Sequence, residues 1–296
     1  MSSRQDVRFL SQGVECAGWL YPPSSAPPWP GIVMGHGFSA TRHDGLEPYA
    51  RRFQAAGLAV LAFDYRHFGD SQGNPRQLVD IARQQQDFQA ALTFMRSLSD
   101  VDDQRLGLFG TSFSGGHVVC VAAQDPLIRA VVAQCPFSDG LPTLRAADPA
   151  NVVKGTLLGL ADRLLSKMRL GPLYLPAVGY PGDFAVMTAP EAKPGMDMLT
   201  GPNSPWRNQV AARIVLQAPW YRPVLQASKL SCPLLVCVCD KDQTAPAASA
   251  WDMARRAPRG EIRRYPVGHF EIYQGSAFEQ AVADQLDFLS RHLGPG

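Results

Sequence analysis

Three kinds of residue in this chain could together activate a hydroxyl: a serine on a tight turn, a late histidine, and an acid between them. The serine is Ser112, in Gly110-Thr111-Ser112-Phe113-Ser114-Gly115-Gly116. The apolar run 106–109 reads as a buried strand before it, and a helix-compatible run follows from Ser114. A serine on such a strand-to-helix turn is held in a strained backbone conformation with its hydroxyl pushed outward. Small residues two positions away on each side make room for the turn. The helix behind it aims amide N–H groups and a positive dipole end at the same spot. A serine hydroxyl is a poor nucleophile until a base removes its proton. Six histidines are available: His36, His43, His67, His117, His269 and His292. His269 is the expected base, because it follows a strand-like run in PVGHFEIY, where Gly268 allows a tight turn. The base needs a carboxylate to orient it. Two lie in Cys239-Asp240-Lys241-Asp242-Gln243-Thr244-Ala245-Pro246. Asp242 is preferred, since the turn toward the next helix carries it toward His269. Asp240 is the second choice and Asp139 the third. A tetrahedral intermediate also needs two donors for its oxyanion. Phe113 N–H, just after the nucleophile, is one. Phe38 N–H, in the loop after the run 31–34, is the other, and its ring would then line an acyl pocket.

These residues need a frame that brings them together. Runs 7–10 and 14–21 read as paired strands around Gln12-Gly13. The proline-rich stretch 22–30 is a surface loop. Strand 31–34, a helix over 46–56 closed by Gly57, strand 58–63 and a long helix over 78–98 follow, with Ile81, Phe88, Leu92 and Met95 on one stripe of that helix. After the Ser112 strand and helix come strands at 130–135 and 233–239, a helix at 247–256, a strand at 262–267 and a helix at 277–293. The inner strands are apolar throughout rather than alternating, which predicts a mostly parallel sheet covered on both faces. In such sheets the site lies outside the carboxyl ends of the strands. Phe38, Ser112, Asp242 and His269 each follow a strand. The alternation breaks between 138 and 230, a stretch rich in Pro and Gly, with helical pieces expected at 152–168 and 209–216. That stretch carries Met187, Met196, Met198, Trp206, Trp220 and Tyr221. It predicts a lid over Ser112, inserted between core segments 1–137 and 231–296.

The chain has 296 residues, 46% hydrophobic and 18% charged, as an ordinary globular protein with a sizeable core does. Its net charge of +2 and the lack of a Lys/Arg-rich run argue against a nucleic-acid partner. Arg51-Arg52, Arg255-Arg256 and Arg263-Arg264 are isolated pairs. The six cysteines, Cys16, Cys120, Cys135, Cys232, Cys237 and Cys239, mostly lie in apolar runs and form no Cys-x-x-Cys, which points to reduced core thiols and a cytoplasmic location. The N-terminal stretch MSSRQDVRFL carries no apolar signal segment, and no run is long enough for a membrane span.

With these pieces in hand, the chain resembles the α/β-hydrolase superfamily from end to end. His36-Gly37-Phe38 matches its oxyanion loop, Asp64-Tyr65-Arg66-His67-Phe68-Gly69-Asp70-Ser71 resembles its loop after the next strand, and Ser112, Asp242 and His269 match its triad in the order Ser, acid, His. Ser114 stands where the family pattern usually has Gly. More narrowly, GTSFSGGHV with GHFEIY is similar to bacterial and fungal esterase-like and dienelactone-hydrolase-like proteins, a group that includes polyketide transferases. The resemblance implies the α/β-hydrolase fold, no metal and no organic cofactor. It implies a serine hydrolase that cleaves small-molecule esters or thioesters with apolar acyl groups through an acyl-Ser112 intermediate. An acyltransferase with the same triad is the nearest alternative, and a peptidase is a lesser one. A haloalkane-type enzyme is disfavoured, because it needs an Asp where this chain has Ser112. A catalytically inactive fold that binds a ligand is the alternative of a different class. A homodimer is left open.

Overall fold

The computed structural model describes residues 3–294; Met1 and Ser2, at the head of the N-terminal stretch read above, and Pro295 and Gly296 lie outside it. Strands β1 (Gln5–Ser11) and β2 (Val14–Tyr21) form the expected antiparallel hairpin. Its turn, Gln12-Gly13, takes φ of 48° and 78°, the consecutive left-handed pair that matches the twist of two strands. Then β3 (Trp29–Gly35), α1 (Glu47–Ala55), β4 (Ala59–Phe63), α2 (Ile81–Arg96), β5 (Val101–Thr111), α3 (Phe113–Ala122) and β6 (Ile128–Gln134) alternate. Helix α2 starts at Ile81 rather than at 78, because the Asp80 side chain accepts the Arg83 N–H and caps it there.

The chain then leaves the sheet for α4 (Gly140–Ala146), α5 (Pro149–Lys167), β7 (Tyr174–Leu175), α6 (Ala192–Leu199) and β8 (Val210–Ala211). It returns for β9 (Leu234–Cys239), α7 (Ala247–Arg256), β10 (Gly260–Tyr265) and α8 (Gly275–Leu293). The helix expected over 209–216 does not form. Val210–Ala211 pairs with β7, and Ala212–Leu216 is a 3₁₀ turn. Its amides bond outward instead: Ala211 N–H to the Gln77 carbonyl, Ala212 N–H to the Leu173 carbonyl and Arg213 N–H to Asp162.

The eight strands of the main sheet run in the order β1-β2-β4-β3-β5-β6-β9-β10. Only β1/β2 and β2/β4 are antiparallel; β4, β3, β5, β6, β9 and β10 are mutually parallel. Alternate residues of each inner strand feed opposite faces. Ile32, Met34, Val60 and Ala62 pack with Tyr49 and Phe53 of α1 and Phe288 and Leu289 of α8. Val33, Leu61 and Phe63 pack with α2, α3 and α7 through Phe88, Leu92, Val118 and Met253. This two-sided burial explains the uninterrupted apolar strands. It also puts the carboxyl ends of β3, β5, β9 and β10 on one edge. No described helix is long and apolar enough to cross a membrane.

Candidate active site

Ser112 occupies the turn from β5 into α3, with φ 56° and ψ −118°. Its left-handed backbone is locked from both sides: Ser112 N–H donates to the Gln134 carbonyl, and the Ser112 carbonyl accepts from Gly115 and Phe137. The turn is so sharp that a Cβ at Gly110 would lie 2.1 Å from the Ser114 carbonyl oxygen. Glycine is required there for space rather than for φ. At Ser114 the hydroxyl is used: it donates to the His36 carbonyl and pairs with the Tyr65 hydroxyl, tying α3 to the loop after β3.

His269 follows β10, and Asp242 follows β9. His269 Nε2 lies 3.0 Å from Ser112 Oγ, and Nδ1 lies 2.6 Å from Asp242 Oδ2. Asp242 Oδ1 accepts the N–H groups of Thr244 and Ala245 at 2.8 and 2.6 Å, so the acid turn itself orients the carboxylate. His269 is buried. Burial disfavours the charged ring, but the Asp242 carboxylate, then Cys135 and, more weakly, Glu191, outweigh it and raise its pKa. Ser112 Oγ, an imidazole and a carboxylate thus form one hydrogen-bonded line that can shuttle a proton from the hydroxyl.

The other candidates stand elsewhere. Asp240 meets Arg264 on the surface, and Asp139 caps α4 and pairs with Arg222. His117 is a satisfied core histidine between the Tyr221 hydroxyl and Gln84, and burial lowers its pKa to about 3. His67 is likewise lowered to about 4, first by burial and then by Arg83. His36 is buried, which lowers its pKa, and its Nδ1 lies 3.0 Å from the Gly37 carbonyl, in the loop it abuts. The segment from Asp64 to Ser71 folds around Asp64, which accepts from Arg42 and from Asp70 N–H.

The loop after β3 runs beside the serine. A Cβ at Gly37 would lie 3.2 Å from Ser112 Cβ. Neither Phe38 N–H nor Phe113 N–H donates to another group among the described residues. The two rings meet edge to face at 5.4 Å. A cavity of about 350 Å³ opens from Ser112 beneath the 138–230 segment, lined by Phe38, Phe113, Leu144, Val152, Met187 and Val215 among others, with no charged side chain. Of the Met and aromatic residues that the 138–230 stretch carries, Met187 and Trp220 line it. Met196 and Trp206 instead pack in a small cluster with Phe270, Tyr221 is buried against His117, and Met198 is exposed. All six cysteines are free and buried. Among the described residues, no group of three or more His, Cys, Asp or Glu side chains could hold a metal ion.

Residues 32–284 match the alpha/beta hydrolase family. The chain belongs to that family. As an alpha/beta hydrolase it is similar to the quorum-quenching protein AidA of Acinetobacter baumannii (strain MDR-ZJ06), at 44% identity over 97% of this chain and 94% of the relative. It is similar to the polyketide transferase ATR5 of Stachybotrys chlorohalonatus (strain IBT 40285), at 28% identity over 98% of each. Among solved structures, the alpha/beta hydrolase GrgF from Penicillium sp. sh18 superposes with a TM-score of 0.86 at 25% identity, covering 99% of this chain and 100% of that one.

One participant in this alpha/beta hydrolase site escapes sequence reasoning. Glu191, just before α6, accepts hydrogen bonds from His269 N–H and from Gln243 and Thr244. Its only trace in the sequence is Gly268. That residue is not in the left-handed region, yet a Cβ there would lie 2.3 Å from Glu191 Oε2.

Proposed function

We propose that this protein is a serine hydrolase that cleaves ester or thioester bonds of neutral, apolar acyl substrates through an acyl-Ser112 intermediate. The observation that carries the reading is the line Asp242–His269–Ser112, which ends at the mouth of an apolar cavity. Ser112 Oγ attacks the acyl carbon, and its proton passes to His269 Nε2. Asp242 holds Nδ1–H and stabilises the imidazolium. Phe38 N–H and Phe113 N–H take the oxyanion. His269 then returns the proton to the leaving alkoxide or thiolate, and the acyl group stays on Ser112. Water, deprotonated by His269, attacks the acyl carbon; the acyl–Oγ bond then breaks, the acid leaves, and His269 returns the proton to Ser112 Oγ. Residues 138–230 act as the lid that shields these steps from bulk water.

The uncharged lining favours neutral acyl chains, because a charge placed there would lose its hydration without a partner. A panel of p-nitrophenyl esters from acetyl to decanoyl tests this. The expected result is kcat/KM rising from acetyl upward, since each methylene buried in the cavity contributes up to about 0.8 kcal/mol. A steady fall from acetyl upward refutes the apolar pocket, and no turnover of any ester favours a ligand-binding protein. Transfer to an alcohol is the second reading, supported by the likeness to a polyketide transferase. Adding varied alcohols at millimolar concentration separates the two: free acid predominates for a hydrolase. One alcohol capturing most of the acyl group against water marks a transferase.

A further inference from the structure

We infer that Glu191 is a positioning residue: from the inserted segment, it clamps the turn carrying Asp242 to the turn carrying His269 and so sets the alignment of the proton relay. The inference rests on the reading of Ser112, Asp242 and His269 given above. Each carboxylate oxygen serves a different turn. Oε1 accepts the Gln243 N–H at 2.8 Å, the Thr244 N–H at 3.2 Å and the Thr244 hydroxyl at 3.2 Å. Oε2 accepts the His269 N–H at 2.9 Å. The partners lie 52, 53 and 78 residues away in the chain, on turns that follow two different strands.

Three features make this more than a loop contact. First, Glu191 forms no ion pair with a Lys or Arg among the described residues; amide and hydroxyl donors alone meet its charge. Hydrogen bonds to a charged acceptor are the stronger kind, so an ionised clamp holds both turns more firmly than a neutral one. Second, Thr244 N–H is shared between Glu191 Oε1 and Asp242 Oδ1, which ties the clamp directly to the group that orients His269. Third, the approach of Oε2 to His269 needs the missing Cβ at Gly268. Two turns and a glycine are fitted to one carboxylate.

The same charge faces the imidazole. The titratable groups around His269 are Asp242 after β9, Cys135 after β6, Glu191 before α6 and Glu271, which holds the Gly268 N–H at 2.6 Å. Removing the Glu191 charge lowers the His269 pKa, so the acid limb of activity moves to lower pH. A purely structural residue would not move that limb.

The test uses the full chain carrying Glu191→Gln and Glu191→Ala. Gln keeps the size but has a single acceptor oxygen, so one of the two ties is lost along with the charge. Active sites are counted by fluorophosphonate labelling, then kcat, KM and the pH profile of kcat/KM are measured per labelled site. We expect kcat to fall about 10–100-fold with KM nearly unchanged, as for a small misplacement of reacting groups. We also expect the acid limb to shift to lower pH in the Gln variant. Gly268→Ala alone should be damaging, and much less so on the Glu191→Ala background, where the Cβ no longer clashes with Glu191 Oε2 and keeps only an ordinary 3.6 Å contact with Glu271 Oε2. Unchanged kcat per labelled site with an unmoved acid limb overturns the inference, as does a loss of activity that merely follows the number of folded, labelled sites. If the wild type itself does not label at Ser112, the reading of the relay fails, and the inference falls with it.

Discussion

Ser112, Asp242 and His269 come from three stretches of chain, and each follows the carboxyl end of a parallel strand: β5, β9 and β10. Their types and positions were legible because strand ends in a parallel sheet converge, and because a serine between small residues marks a strained turn. Which of the paired acids lies against His269 was legible for a local reason. Asp242 lies in a turn whose own amides, Thr244 and Ala245, grip one oxygen and leave the other for His269. Asp240 points to Arg264 instead. We therefore expect Asp242→Asn to lower kcat by on the order of 10³–10⁴, because an amide favours the wrong tautomer of the histidine. Asp240→Asn removes only an exposed ion pair and should change kcat less than about threefold. Steady-state kinetics of the two variants at neutral pH checks the ranking, and the reverse order would move the acid to Asp240. Glu191 was not legible. A single carboxylate in an irregular loop carries no periodicity, and its partners are fixed only once β9 and β10 are side by side.

The elements that hold the site were read more readily than those that cover it. The apolar runs 31–34 and 233–239, each set between turn signals in an alternating strand–helix pattern, read as strands buried on both faces and form them. The run 209–216 had two, because a short apolar segment does not distinguish a helix from a strand bridge and a 3₁₀ turn. Partners supplied by Gln77, Leu173 and Asp162 decided it. The turn between β5 and α3 is the least tolerant junction. A Cβ at Gly110 meets the Ser114 carbonyl at 2.1 Å, and that carbonyl belongs to the first turn of α3 and cannot rotate away. Gly110→Ala should therefore destabilise the protein by at least about 3 kcal/mol or displace Ser112 with loss of activity. Urea unfolding with parallel assays checks this. A variant with wild-type stability and wild-type turnover would show that the turn is looser than described. Ser114 adds a second tie here that a glycine could not, through the His36 carbonyl and Tyr65.

At the scale of the whole molecule, Ser112, Asp242 and His269 lie past the carboxyl ends of their strands on one edge of the sheet, and residues between 140 and 220 supply most of the lining of the cavity beside Ser112. That the segment departs from the strand–helix alternation of the sheet was readable in the sequence. Which of its side chains face inward was not, because aromatic and Met residues serve equally in the segment's own packing: Met196 and Trp206 went to a cluster with Phe270. Gly155 of α5 lines the cavity, and a Cβ there would meet only Val215, at 3.9 Å. Gly155→Leu should thus be accommodated by the helix while its side chain fills part of the cavity. We expect the preferred acyl chain to shorten by a few carbons, with acetyl turnover retained, in the same ester panel. An unchanged chain-length profile would place the acyl group outside this cavity. The proposed mechanism requires a covalent intermediate, and intact-protein mass spectrometry after a brief exposure to an activated acyl ester, with peptide mapping of the adduct, detects it most directly. We expect one added acyl group, on Ser112, that disappears with time as product forms and never forms in Ser112→Ala. No adduct, or an adduct on another residue that persists in Ser112→Ala, would contradict it.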